Sequence, residues 1–263
     1  MHQSVRMLAA VAGATILAMA GVSSANAAPK GSSGAANLTC TGGNIDSGTY
    51  KNVTVSGACT VPDGADVTIL GNLVIEAGAM FDAQTHSTVT IMKNVSAGPG
   101  SLFGLGCTEA HPCNDGNPGT QTDKVYGNVT LDHVFDAAIN GDWIGGNLTS
   151  VGGGAGLLDP ETQFVPFSVK DDVIEGNVSI SDLTTVWFGV IRSQIGKNLI
   201  VENVNLSDPD GNEIVANTIG RNLICHDNSP APQLGDAVEG APPGYGPNTV
   251  GGKAVGQCAG LAG

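Results

Sequence analysis

Ile174-Glu175-Gly176-Asn177-Val178, Ile195-Gly196-Lys197-Asn198-Leu199 and Ile219-Gly220-Arg221-Asn222-Leu223 repeat one phrase. An aliphatic residue is followed by a variable one, then Gly or a basic residue, Asn, and Val or Leu. Earlier copies are Ile69–Leu73, Ile91–Val95, Val125–Val129 and Ile144–Leu148. A degenerate start, Thr49-Tyr50-Lys51-Asn52-Val53, and a degenerate end, Val250-Gly251-Gly252-Lys253-Ala254, bracket the series. The copies recur every ~20–30 residues, the signature of stacked repeats. The intervals Asn94 to Asn128, Asn147 to Asn177 and Asn222 to Lys253 are the long ones. Each holds a Gly/Pro/Asp-rich stretch, read as inserted loops at 98–123, 151–170 and 227–248.

The motif reads as strand. Val53/Val55, Leu73/Ile75, Val129/Leu131, Val178/Ile180 and Leu199/Val201 are apolar pairs two apart, which is period-2 patterning. Glycine, 39 residues of the chain, is too frequent for long helices. Every copy runs in the same order, so parallel stacking aligns Ile69, Ile91, Val125, Ile144, Ile174, Ile195 and Ile219 in one interior column. The Val or Leu after each Asn forms a second column. The expected fold is all-β: a single-stranded right-handed parallel β-helix, or β-solenoid, of about eight coils with three inserted loops. The six-residue sub-repeat of left-handed solenoids is absent from the sequence. The motif Asn is expected at a corner, in the left-handed backbone region that Asn tolerates, with stacked side chains hydrogen-bonding along the axis.

The start of the chain reads as an export signal. Arg6 precedes the apolar run Met7–Val22, and Ser23-Ser24-Ala25-Asn26-Ala27 supplies an A-x-A cleavage pattern. The expected organisation is a signal peptide at 1–28, a flexible segment at 29–38 and the solenoid at 39–263. The signal is bacterial in style, and no later apolar run reaches membrane-spanning length. A secreted, extracellular protein is therefore expected. The Asn-x-Ser/Thr triplets at Asn37, Asn52, Asn94, Asn128, Asn147, Asn177 and Asn205 mostly coincide with the repeat and are read as structural.

Composition narrows the partners. The net charge is −14, and losing Arg6 with the signal makes it one unit more negative. Aromatics are only 4%, and ten Lys and Arg face 24 acids, which argues against nucleic acid and anionic membranes.

Six cysteines, an even number in an exported chain, point to disulfides. Cys40 and Cys59 lie one coil apart, on adjacent rungs, and would pin the first coil. Cys225 and Cys258 would pin the last coil with its long loop. Closing loops of this size is worth ~3–4 kcal/mol in the chain-entropy model. Cys107 and Cys113 would close a small loop in the first insertion. With His111 and Asp115 they also form the rival zinc reading, which an oxidising compartment disfavours.

The segments Asn217–Cys225 (N-T-I-G-R-N-L-I-C) and Asn248–Cys258 (N-T-V-G-G-K-A-V-G-Q-C), with a Pro-rich loop between them, resemble secreted actinobacterial proteins that bring no known activity. The architecture is similar to pectate-lyase-like parallel β-helix proteins. That resemblance implies a fold and, by itself, no activity.

Chemistry is sparse. The segment after the signal has two arginines, Arg192 and Arg221, and one adjacent carboxylate pair, Asp171-Asp172, read as a solvated edge. The Gly-His-Gly and Arg-x-Lys segments of pectin hydrolases are absent, and no catalytic residue is assigned. Asp208, Asp210, Asn212 and Glu213 place four oxygen side chains around an Asp-Gly turn, a candidate calcium site or simply a turn; no other cofactor is indicated. Trp143 and Trp187 are candidate sugar-stacking aromatics, but their apolar neighbours favour core packing. Two functional readings follow. One is a secreted non-catalytic structural or surface-interaction solenoid, with a cell-surface component as partner. The other is an extracellular carbohydrate-binding or polysaccharide-lyase-like protein. Trp143 or Trp187 in an open groove beside carboxylates favours the second, and burial of every aromatic favours the first.

Overall fold

The computed structural model describes residues 35–235 and 246–263. The signal segment, and the part of the third insertion at 236–245, lie outside the described residues. The described residues form a right-handed parallel β-helix, and every strand pairing among them is parallel.

Three long sheets form its walls. The motif sheet has ten strands, from Leu38–Cys40 to Ala254–Gly256. A second sheet has eight, from Gly43–Asn44 to Asn212–Val215, and a third has nine, from Gly48–Tyr50 to Thr249–Val250. A two-stranded ladder, Thr184–Thr185 with Asn205–Leu206, adds a short fourth wall. Strands of two to five residues suffice because each is held by the rung above and the rung below.

Register explains the repeat. Ile69 pairs with Ile91, Ile91 with Val125, Val125 with Ile144, and so on through Ile174, Ile195 and Ile219. The column after Asn runs Val53, Leu73, Val95, Val129, Leu148, Val178, Leu199, Leu223. All of these side chains are buried. In the second sheet Phe81 stacks on Phe103 at 6.0 Å, and Phe167 meets Phe188 at 6.2 Å. Like lies on like along the axis, so each rung buries its apolar face on the next.

The motif asparagines form the expected axial ladder. Asn147 Nδ2 and backbone N–H both donate to Asn128 Oδ1, at 3.2 and 2.9 Å. The pattern continues through Asn177, Asn198 and Asn222 to the backbone of Lys253. Its first link is Asn52 Nδ2 to Asn37 Oδ1 at 2.9 Å. Asn205 stands apart, in the short ladder. One expectation is corrected: none of the motif asparagines has a positive φ. Left-handed residues occupy the two other corners instead. His133, Asp182, Asn203 and Asp227 follow the motif sheet; Asp171, Arg192 and Ala216 follow the second sheet.

Cys40–Cys59, Cys107–Cys113 and Cys225–Cys258 are bonded, with Cα separations of 6.4, 5.0 and 5.3 Å. The first and last lie on the terminal coils, where a rung has only one neighbour. Cys107–Cys113 closes the loop after Leu102–Leu105. Its two thiols are thereby unavailable to zinc. His111 turns to Arg192, and Asp115 lies 3.3 Å from His86. No described helix is long and apolar enough to cross a membrane.

Candidate functional site: an aromatic groove beside a charged corner

The outer face of the third sheet carries one column: Thr49, Thr68, Thr90, Lys124, Trp143, Val173, Gln194, Thr218, Thr249. Alternation puts these side chains outward because Ile69, Ile91, Val125 and Ile144 point in. Tyr126, in the variable slot of its repeat, also points out and is 47% exposed. Its ring meets Trp143 edge-on, with centroids 5.1 Å apart and planes at 65°. Trp143 Nε1 donates to Glu175 Oε1 at 3.3 Å, which fixes the indole on the wall. An open groove of about 520 Å³ lies here, lined by Thr122, Lys124, Tyr126, Asp142, Trp143 and Asp171. Trp143 is therefore a groove residue and not a core residue.

The groove abuts a charged corner. Asp171 and Arg192, with φ of 62° and 53°, stack on consecutive coils. Arg192 grips Asp171 with two 2.6 Å hydrogen bonds, Nε to Oδ1 and Nη2 to Oδ2. Thr108 Oγ1 reaches Asp171 Oδ2 at 3.5 Å, and Arg192 Nη2 lies 3.4 Å from His111 Nε2. Burial, then the charges of Lys170 and Arg192, lowers the His111 pKa to about 4. The imidazole is neutral near pH 7 and accepts from the guanidinium. The first insertion is thus tied to two coils. Asp171-Asp172 is not a solvated edge: Asp171 is half-buried in this ion pair, and Asp172 is 1% exposed inside the helix.

Trp187 has a different setting. It is 8% exposed on the outer side of the second sheet, beneath Phe164 at 6.4 Å and Lys170, whose Nζ lies 4.5 Å from its ring centre. Burial, with a smaller contribution from Arg192, lowers the Lys170 pKa to about 8, while Glu213 and Asp171 oppose the shift. Trp187 Nε1 lies 3.5 Å from Glu213 Oε1.

The candidate calcium residues do not converge. Asp208 Oδ1 accepts the backbone N–H of Asp210, a local turn bond. Asn212 is fully buried and donates to the Pro230 carbonyl at 3.0 Å. Glu213 faces Trp187. Among the described residues no group of three or more His, Cys, Asp or Glu converges on a metal position.

Sequence reasoning passed over Tyr126, Lys124 and Lys170, and read His111 only as a zinc candidate. Tyr126 and Lys124 were within reach, because both flank the inward Val125 and must point outward. The corner of Arg192, Asp171 and His111 joins residues from three coils and has no local signal. No family model, no curated protein and no solved structure matches the chain.

Proposed function

We propose that this is an exported, non-catalytic surface-interaction protein whose outer groove holds a glycan. The supporting observation is the Tyr126–Trp143 pair in an open groove. A pyranose ring presents C–H groups that pack on an indole face, and hydroxyls that reach Thr122, Lys124 and the acids around it. The net charge of −14 favours a neutral glycan over a polyanion.

The groove acids are already engaged structurally. Asp171 is held by Arg192, Glu175 accepts from Trp143, and Asp142 is almost fully buried. That arrangement supports binding over hydrolysis, which needs an acid and a base poised across a bond. The signal-like segment and three disulfides support an extracellular setting.

A glycan array with the purified protein, followed by calorimetry on the best hit, tests the reading. Trp143→Ala should weaken binding at least about tenfold, as expected for loss of an aromatic anchor. Trp187→Phe should leave it unchanged. Cleavage of an acidic polysaccharide in the presence of calcium would overturn the non-catalytic part. Equal binding by wild type and Trp143→Ala would overturn the groove.

A further inference from the structure

We propose that Asp123, Asp142 and Asp172 form a proton-holding column inside the β-helix, which makes the middle coils most stable in acid and loosens them as the solution turns alkaline.

The column occupies an inward-facing slot two residues before each motif aliphatic. Down the axis it reads Val67, Val89, Asp123, Asp142, Asp172, Ser193, Asn217, Asn248. Each side chain from Asp123 onward is at most 2% exposed. At the C-terminal end the asparagines satisfy themselves. Asn217 Oδ1 accepts from the Ser193 backbone at 2.9 Å, and its Nδ2 donates to the Val190 carbonyl and to Asn248 Oδ1, both at 2.8 Å. An amide serves this slot because it donates and accepts at once.

The three aspartates keep only the accepting half. Asp123 Oδ1 takes the Val89 N–H at 2.7 Å, and Asp172 Oδ1 takes the Asp142 N–H at 2.8 Å. Both Asp142 oxygens and Asp172 Oδ2 are buried without an aligned partner. Space is tight as well: at Gly106 (φ 67°) a Cβ would sit 2.3 Å from Asp142 Oδ1. A protonated carboxyl restores the missing donor, whereas an ionised one stacks charge on charge in a dry corner.

The surroundings point the same way. Burial leads in raising all three acids, Asp123 to about 7 and the other two well above the usual carboxylate range. Asp142 is raised further by Asp123 and Asp172, and Asp172 by Asp171. Other charges on the packed elements are turned elsewhere. Arg192 grips Asp171, Lys170 lies over Trp187, and Lys124 lines the outer groove. Backbone N–H groups partly offset each shift: those of Val89 and Gly106 at Asp123, of Asp123 and Asn140 at Asp142, and of Asp142, Gly141 and Lys170 at Asp172.

A folded-state pKa above the unfolded value, about 3.9 for Asp, means the native state binds more protons between the two. Stability is then greatest below about pH 4 and declines from there as pH rises to the folded values, the Asp123 share of the loss being complete above about pH 7, opposite to a salt-bridged aspartate.

Thermal melts of wild type and of the triple variant Asp123→Asn/Asp142→Asn/Asp172→Asn, from pH 5 to pH 9, test the proposal. The wild-type midpoint should fall by about 10 °C across that range, and the variant should stay within about 3 °C. A variant curve that falls in parallel would overturn the proposal and assign the pH effect to groups outside the column, among them Asp136, whose pKa burial raises to about 7. Infrared spectra keep the test open should the variant fail to fold. Wild type at pH 6 should show a carboxylic-acid carbonyl band that disappears on alkaline titration, and a spectrum without that band at pH 6 overturns the proposal.

Discussion

Two ladders of polar side chains climb this helix, and they obey different rules. The outer one, Asn37 to Asn222, stands at the edge of the motif sheet, where water reaches it. The inner one, Asp123 to Asn248, lies in the sealed corner before the third sheet. Both use a side-chain oxygen to receive the backbone N–H of a neighbouring coil. Outside, a lapse in the chain of bonds is filled by solvent. Inside, every unmet donor or acceptor carries its full desolvation cost. The same chemical device is therefore decoration in one place and a constraint on folding in the other.

Substitutions can sharpen this contrast. The largest effect is expected at Asn217. Alanine there strands the Ser193 N–H and the Val190 carbonyl in a dry corner, and should cost about 3 kcal/mol or more in urea melts. Next comes the corner between the ladders. Arg192→Ala leaves Asp171 half-buried without its bidentate partner and should cost about 2 kcal/mol, partly screened by salt. Asn147→Ala in the outer ladder should cost only about 1 kcal/mol, because water replaces the amide at Asn177. A loss at Asn147 equal to that at Asn217 would break the comparison. The smallest effect is expected two residues beyond the outer ladder, on the exposed side of the sheet. Thr149→Val should change stability by less than about 0.5 kcal/mol.

The comparison also separates what was readable. The outer ladder was legible because Asn recurs at one slot of an obvious repeat, and its axial bonding follows from parallel stacking. Its backbone was misassigned: Asn tolerates a left-handed turn, but here the left-handed positions fall to His133, Asp171, Asp182, Arg192, Asn203, Ala216 and Asp227. Nothing in those side chains announces it, since the turn is imposed by the strands on either side. The inner ladder had a signal that went unread. Asp123, Asp142, Asp172, Ser193, Asn217 and Asn248 all stand two residues before a motif aliphatic, an inward position by period-2 logic. Polar residues recurring at an inward slot mark a buried ladder.

The amino-acid sequence alone determined the architecture, the axial columns and the three cysteine pairings. Each follows from a local pattern repeated at a near-constant interval, so that stacking has one register that buries like on like. Only the tertiary structure decided which tryptophan faces solvent, that Asp171 and Asp172 part company, and that the residues of the calcium candidate diverge. Those outcomes depend on which face of a short strand a residue takes and on which inserted loop covers it. Such relations join coils far apart in the chain, and no stretch of sequence contains them.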